Sequence, residues 1–378
     1  AIVVYAMSVM AYRVLRETVR TLRAGSPGVP LIVMENTQAV TSFSLASVRH
    51  ELFADGADAV VTGEAEIRVP ELLEVWGRGT PPDGVWVRWN GTESGSPPVR
   101  VVENLDDLPC PAWDLFPLDE YWRLGYSHGP MSDRYLPLLT SRGCPFRCRF
   151  CVIPTLSPRW RGRSGASVAG EMAHLQNVFG VSEFHLEDLN PTTSDPRIRE
   201  MCETITARGL RVTWKIAAGT KIETIRPGTL ELMARAGCRY ISFSPETGSP
   251  DLLRKMNKPF QHEYALELTR QMRRLGVRSQ ACFVLGFPGE TPHDEALTRR
   301  YVHRLVAAGV DEIALFIITP IPGSATFGQI EGFRDLSDLT FSPSWRVDYP
   351  RLQRWRLRLY AEFVAHRMPA GSALFWLA

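Results

Sequence analysis

Three cysteines fall within one short run, Thr140-Ser141-Arg142-Gly143-Cys144-Pro145-Phe146-Arg147-Cys148-Arg149-Phe150-Cys151. On one tight loop, the C-x3-C-x2-C spacing of Cys144, Cys148 and Cys151 lets three thiolates grip three corners of a cubane [4Fe-4S] cluster. The fourth iron then lacks a cysteine and stays open to a substrate or cofactor, whereas an electron-carrying cluster normally has all four corners held by thiolate. A structural zinc site wants a fourth Cys or His close by. None stands in the next twenty residues, His174 being the first. An open-corner cluster is the reading, with zinc and three unrelated thiols as the alternatives.

The remaining cysteines, Cys110, Cys202, Cys238 and Cys282, have no ligand spacing and read as structural. Seven cysteines, odd in number and unevenly spaced along 378 residues, do not make a secreted disulfide framework, so a reducing, cytoplasmic setting is expected. Arginine is dense around the triad, at 142, 147, 149, 159, 161 and 163. Positive charge there would favour a reduced, more anionic cluster and could dock an acidic reductase. Solvated surface arginines account for at least half of the set equally well.

With 44% hydrophobic and 22% charged residues, the chain has the make-up of a soluble globular protein with room for two domains. That composition excludes disorder, collagen and a disulfide mini-scaffold. The net charge of +2 is too small and too scattered to argue for nucleic acid or an anionic membrane as partner. The apolar stretch Ala1 to Tyr12 is broken by Arg13 and falls short of the roughly 20 residues of a spanning helix. Lacking a basic segment before it, that stretch is also a poor signal peptide. Because the chain opens on AIVVYAM, without a starter Met and already in a strand-like run, the first domain is expected to be an N-terminal fragment.

Two patterns must position these residues. Apolar runs at Ile2 to Met7, 31 to 34 (LIVM) and 59 to 63 (AVVTG) alternate with helical stretches at Tyr12 to Arg23 and Leu45 to Ala54. Buried β-branched strands between amphipathic helices predict a parallel sheet covered on both faces, part of a doubly wound α/β domain over residues 1–76. Ligands of such sheets sit at strand carboxyl ends, here Met7-Ser8, Glu35-Asn36-Thr37 and Gly63-Glu64. Residues 77–134 are dense in Gly, Pro, Asn and Ser and read as a linker, with VWVRW as a hairpin strand inside it. The tracts GYSHGPMSD and IPGSATFGQ are expected to be mobile loops.

Over 135–320 six apolar runs recur, at Leu136 to Thr140, Glu183 to Leu186, Val212 to Ile216, Tyr240 to Phe243, Ala281 to Leu285 and Ile313 to Ile318. Helical stretches separate them at 167–179, 196–208, 228–236, 261–275 and 292–308. Such βα units predict a barrel or an incomplete barrel whose chemistry sits on the loops after the strands. Residues 321–378 read as a C-terminal helical segment. Its Leu352, Trp355, Leu359 and Phe363, at helical spacing, are expected to pack on the barrel rather than bind a membrane.

Along the barrel region follow, in order, the triad with Phe150 as the aromatic before its last cysteine, WRGRS at 160–164, Glu187-Asp188 at a strand end, SPETGS at 244–249 and FVLGFPGET at 283–291. This set resembles the radical S-adenosylmethionine (SAM) enzymes. The resemblance implies a partial (β/α)6 barrel with a [4Fe-4S] cluster on Cys144, Cys148 and Cys151, its open iron chelating the amino and carboxylate groups of SAM. Phe150 would stack on adenine beside the cluster, or fill the barrel mouth. Glu187 and Asp188 would hold the SAM amino group or approach the open iron, or remain solvated strand-end acids. Lys215 and Glu246 are placed to meet the SAM carboxylate and ribose, or to form an ion pair of the barrel rim. Gly286 and Gly289 would let backbone approach a ligand closely, or make an ordinary strand-to-helix turn.

The N-terminal piece narrows the likeness. A half-domain ending in DAVVTGEAE (58–66), a hairpin-bearing linker closing on LDDLPCPAWDLFP (105–117) and then the barrel are similar to the cobalamin-binding branch of that family. There the corrin lies between a Rossmann-like domain and the barrel mouth, which here implicates Ser8, Glu35, Asn36 and Thr37. The branch signature D-x-H-x-x-G is absent, His50 standing in no such context, and the usual Gly-Gly pair is replaced by Met34-Glu35-Asn36-Thr37. The signature could lie in the missing N-terminal part, or the cobalt could have no protein ligand. Some branch members lack the histidine, including those that methylate C2 of tryptophan in thiopeptide (antibiotic) biosynthesis, which this chain resembles further.

The implied reaction is methyl transfer from SAM through methylcobalamin to a carbon of a small substrate, by radical activation or by a polar step. The alternatives are cobalamin-linked cyclisation or rearrangement and, outside enzymes, an electron carrier or corrinoid-binding module. The implied partners are a small-molecule substrate and a reductant such as flavodoxin or ferredoxin, with neither nucleic acid nor membrane.

Overall fold

The computed structural model describes residues 1–125 and 132–367, so GYSHGPMSD lies largely outside the described residues. Packing divides the chain into two units. One gathers Ala1–Glu103, Gly143–Arg159 and Ile317–Pro350; the other holds Asn104–Arg142, Trp160–Phe316 and the chain from Arg351 onward.

The first unit is built on a five-stranded sheet in the order β1 (Ile2–Ala6), β2 (Leu31–Glu35), β3 (Ala59–Val61), β4 (Val85–Trp89), β5 (Thr92–Gly95). The first three strands pair in parallel, as their β-branched runs predict, and β3, β4 and β5 pair antiparallel. The hairpin expected in the linker is therefore the edge of this sheet, and the unit reaches Glu103 rather than residue 76. The cause is alternation: Val85 and Val87 point into a core with Ile32, Ala59, Val61 and Leu72. Arg68, fully buried, anchors the exit of the hairpin by donating to Asp83 Oδ2 and to the Arg100 carbonyl, both at 2.7 Å.

Helix Tyr12–Gly25 packs through Tyr12, Leu15 and Val19, the i, i+3, i+7 face of its sequence. The helix expected at Leu45 to Ala54 is split into a single turn, Leu45–Ser47, and a helix, Arg49–Ala54. IPGSATFGQ, expected to be a mobile loop, buries Ile321, Ser324 and Thr326 and closes on itself through Ser324 N to Ile321 O and Phe327 N to Ser324 O.

The second unit carries β6 (Tyr135–Leu138), a short antiparallel pair β7 (Ser141–Arg142) and β8 (Arg161–Gly162), then β9 (Glu183–Leu186), β10 (Thr213–Thr220), β11 (Cys238–Glu246), β12 (Arg278–Leu285) and β13 (Glu312–Ile317). Six of these form one sheet in the order β13-β12-β11-β10-β9-β6, with parallel pairing from β6 through β12. Sequential parallel strands with β6 and β13 left as edges are the connectivity of an incomplete (β/α)6 barrel. Helices at Gly165–Phe179, Asp195–Ala207, Pro227–Arg235, His262–Arg274 and Pro292–Ala308 connect them, each within two residues of its expected bounds.

Strand alternation sorts the side chains by face. Phe184 and Leu186, Trp214 and Ile216, Ile241 and Phe243, Phe283 and Leu285 share one apolar, buried face. Glu183, His185, Lys215, Tyr240, Ser242, Gln280 and Cys282 share the other, which gives the sheet a polar face. Helix Tyr349–Arg367 buries Leu352, Leu359 and Phe363, and its Tyr360 hydroxyl accepts from Leu315 N at 3.0 Å. Among the described residues no helix is long and apolar enough to cross a membrane.

Candidate active site

In the first unit the strand ends carry a closed hydrogen-bond network. Ser8 Oγ accepts from Met10 N at 3.2 Å and caps the turn after β1. Asn36 Nδ2 donates to the Met7 carbonyl at 2.9 Å, which ties the end of β2 to that of β1. Gln38, which sequence reasoning did not single out, donates from its backbone to Asn36 Oδ1 at 2.8 Å and from Nε2 to Thr37 Oγ1 at 2.9 Å.

Glu35, expected to face a ligand, is buried with its two oxygens on backbone: Oε1 accepts from Leu45 N at 2.8 Å and Oε2 from Gly63 N at 2.9 Å. An acid that closes three chain segments on one another has no oxygen turned outward for a ligand. Burial pushes its carboxyl up to about 7, against the pull of those two N–H groups.

The cysteine loop belongs to the same unit. Gly143 opens it at φ +77°, where a Cβ would stand 2.2 Å from the Arg159 carbonyl oxygen, so glycine is required twice over. Cys144 N donates to the Ser157 carbonyl at 3.1 Å and closes the loop, while Cys151 N donates to Cys148 O at 3.2 Å. All three thiols are half-buried, as is Phe150 between the second and third. Ile153 N points at Cys151 Sγ at 3.4 Å, the N–H···S contact that tunes a thiolate bound to iron. No three His, Cys, Asp or Glu among the described residues converge on a single ion.

In the second unit each predicted residue has a definite place. Glu187 follows β9 directly, is exposed, and donates its N–H to the Leu138 carbonyl at 3.0 Å. Asp188, expected beside it as a ligand-binding acid, is fully buried and faces the other way. Its Oδ1 accepts from Ser141 Oγ at 2.5 Å and from Thr140 Oγ1 at 2.9 Å, and both oxygens lie 3.1 Å from Thr140 N. Burial pushes its carboxyl upward, against the charge of Arg197, whose guanidinium donates to Thr140 Oγ1 at 3.1 Å. Asp188 thus anchors the stretch that leads into the cysteines.

Lys215 departs from its expected place at the rim. It is the third residue of β10, at the amino-terminal end of the sheet, and its Nζ lies 2.6 Å from Glu183 Oε1, each side chain only 1% exposed. His185 Nε2 shares the same oxygen at 2.9 Å and stacks on Tyr135 at 4.7 Å. Glu246 does end its strand at the carboxyl side, ion-paired with Lys258, and holds a left-handed φ of +65° that a non-glycine residue adopts only under strain. Gly286 follows β12 at φ +74° and donates to Glu290 Oε2 at 2.6 Å. The other oxygen of Glu290 is buried without a protein partner, and burial pushes that carboxyl up to about 8. Glu290 lies within the FVLGFPGET segment, but an acid five residues past a strand carries no local mark of burial.

Residues 138–315 match the family model of the Radical SAM superfamily. The chain carries a radical SAM domain. Outside that span it remains similar to relatives of greater length. It is 28% identical to an uncharacterised methyltransferase of Pyrococcus horikoshii, over 76% of this chain and 60% of that protein. It is likewise 28% identical to the cytidylyl-2-hydroxyethylphosphonate methyltransferase of Streptomyces wedmorensis, over 69% of this chain and 50% of that one. The chain thus spans between half and three fifths of the length of these two relatives.

Among solved structures it superposes on the radical SAM methyltransferase TsrM of Kitasatospora setae, determined with tryptophan and a SAM analogue, with a TM-score of 0.69 at 20% identity. That match covers 88% of this chain and 65% of TsrM. The cobalamin-dependent radical SAM enzyme OxsB gives a TM-score of 0.64 at 16% identity, over 95% of this chain and 48% of OxsB. At such identities the likeness establishes the fold: a radical SAM barrel joined to a doubly wound sheet.

Proposed function

We propose that the protein is a cobalamin-dependent radical SAM methyltransferase that moves a methyl group from SAM to a carbon of a small molecule, an indole such as tryptophan being the candidate acceptor. The observation that carries this reading is the packing of the cysteine loop, Gly143–Arg159, in one unit with the carboxyl ends of β1 and β2. In a doubly wound sheet those ends are the ligand side. A corrin held there would share its unit with the cluster, and the likeness to TsrM and OxsB, each solved with cobalamin, supports cobalamin as the cofactor.

When bound, the cluster would activate SAM and cobalamin would serve as methyl carrier. The chain's own residues have separable tasks. Cys144, Cys148 and Cys151 hold the cluster. Ser8, Asn36 and Thr37 line the corrin side of the sheet, whereas Glu35 holds the sheet together from behind. On the barrel side, Glu187 takes the SAM amino group or the open iron, Glu246 with Lys258 meets the ribose, and Gly286 lets backbone approach the adenine while Glu290 fixes its turn. An acidic one-electron donor, flavodoxin or ferredoxin, would dock beside the exposed Arg147 and Arg149, and cysteines outside any disulfide suit a cytoplasmic setting.

The test is SAM turnover by the anaerobically reconstituted protein, with and without cobalamin. Cobalamin-dependent formation of S-adenosylhomocysteine and a methylated acceptor is expected, abolished when the three cysteines are changed to Ala. Turnover to 5′-deoxyadenosine alone, indifferent to cobalamin, would refute the proposal.

A further inference from the structure

Gln38 stands one residue beyond the strand-end segment Glu35–Thr37, and its side chain uses both ends of its amide. Nε2 donates to Thr37 Oγ1, and Oε1 accepts from Gly143 N at 3.0 Å, across 105 residues of sequence. Gly143 is the residue before Cys144. Its positive φ, and the carbonyl oxygens of Arg159 and Ser157 that fill the space a Cβ would take, fix the direction of its N–H, so the acceptor must come to it. On its other side Gln38 is held by Asn36, which is bonded in turn to the Met7 carbonyl. A continuous chain of hydrogen bonds therefore runs from the ends of β1 and β2 through Asn36 and Gln38 to the backbone that presents the first cluster cysteine.

We infer that Gln38 is a positioning residue for the cluster, and that it transmits occupancy of the corrin side of the sheet to the cysteine loop. The second half rests on the cobalamin reading above; the first half does not. A corrin lying on Asn36 and Thr37 restrains their side chains, and with them the Gln38 amide, so Gly143 and Cys144 sample fewer arrangements and the cluster is held more tightly. Without the corrin the same amide still restrains the loop, but it is itself freer to move. Gln38 touches neither SAM nor the reacting atoms in this role.

The experiment measures the rate at which the full chain, reconstituted with iron and sulfide, loses iron to a ferrous chelator, with and without hydroxocobalamin, alongside the electron paramagnetic resonance signal of the reduced cluster. Gln38→Ala should release iron about fivefold faster, the scale of one lost neutral hydrogen bond, and should shift the signal of the reduced cluster. Gln38→Glu keeps an acceptor for Gly143 and should behave like the wild type. Cobalamin should slow release in the wild type and Gln38→Glu but not in Gln38→Ala. If Gln38→Ala does not fold, Gln38→Met, of equal length without an acceptor, takes its place in the comparison. Equal rates in the acceptor-less and acceptor-bearing variants would overturn the positioning role. A cobalamin effect undiminished in the acceptor-less variant would overturn the transmission. Failure of the wild type to retain cobalamin at all would count against the proposed function, and the cobalamin-free rates would still decide on Gln38 as a positioning residue.

Discussion

Ser141 Oγ donates to Asp188 Oδ1 at 2.5 Å, so the backbone that enters the cysteine loop is anchored to a carboxylate two residues past the end of β9. Three donor groups, from Thr140 N, Thr140 Oγ1 and Ser141 Oγ, converge on this carboxylate, and its own residue is fully buried. Asp188→Asn places an amide NH2 against donors and leaves at least one of them unsatisfied. A loss of about 1–3 kcal/mol in urea unfolding is expected, together with fewer irons bound per chain after reconstitution. Unchanged stability and full iron in the variant would show that the anchor is dispensable.

Lys215 and Glu183 form a buried pair with His185 on the same oxygen. Removing one partner strands a charge among buried groups. Lys215→Met should cost about 3–5 kcal/mol, and the double change with Glu183→Gln should recover a good part of it, because a buried pair is far cheaper to replace than to break. Equal destabilisation by the single and double variants would argue against the pair. The same comparison separates this role from SAM binding, since SAM affinity should follow folding in both variants rather than fall independently.

Glu35 predicts a pH dependence of stability. Its folded carboxyl sits at about 7 against an ordinary 4.5, so folding favours the protonated form. The stability it contributes is whole below about 4.5 and is lost as the pH rises through about 7, a swing of about 3 kcal/mol at most. Glu35→Gln, neutral throughout, should flatten that part of the profile. Unfolding midpoints of wild type and variant measured between pH 5 and 8 check this, and parallel profiles would contradict it.

Glu187, exposed directly after β9, has two possible partners with different signatures. As a SAM ligand, Glu187→Gln should weaken SAM binding and leave the cluster spectrum unchanged. As a hard oxygen ligand of the open iron, it should alter the electron paramagnetic resonance of the reduced cluster before SAM is added. In the second case reductive SAM cleavage is disfavoured and methyl transfer would be polar. A variant with unchanged SAM affinity, spectrum and turnover would leave Glu187 a solvated strand-end acid.

What could be read from the sequence was what is local. The triad lies on one loop, and the βα alternation places strands because buried β-branched runs differ from amphipathic helices over a few residues. β11 was legible only from Tyr240 to Phe243, although it continues to Glu246, because Ser244 and Glu246 line a polar barrel face and so look like loop. β4 reads as part of a linker because Gly and Pro surround it, while the partner that makes it part of the sheet is twenty-odd residues earlier. Glu35 and Asp188 looked like ligands because an acid at a strand end has the same local sequence whether it faces solvent or accepts from backbone. The Gln38 to Gly143 bond joins residues that no periodicity relates.

In the proposed function this chain holds a corrin and an open-corner cluster together. Anaerobic reconstitution with iron, sulfide and hydroxocobalamin, followed by gel filtration and metal analysis with the ultraviolet-visible spectrum, tests it most directly. About four irons and one cobalt retained per chain are expected, with corrin bands beside the iron-sulfur absorption. A full complement of iron with no retained cobalt would contradict it and leave radical SAM chemistry without cobalamin.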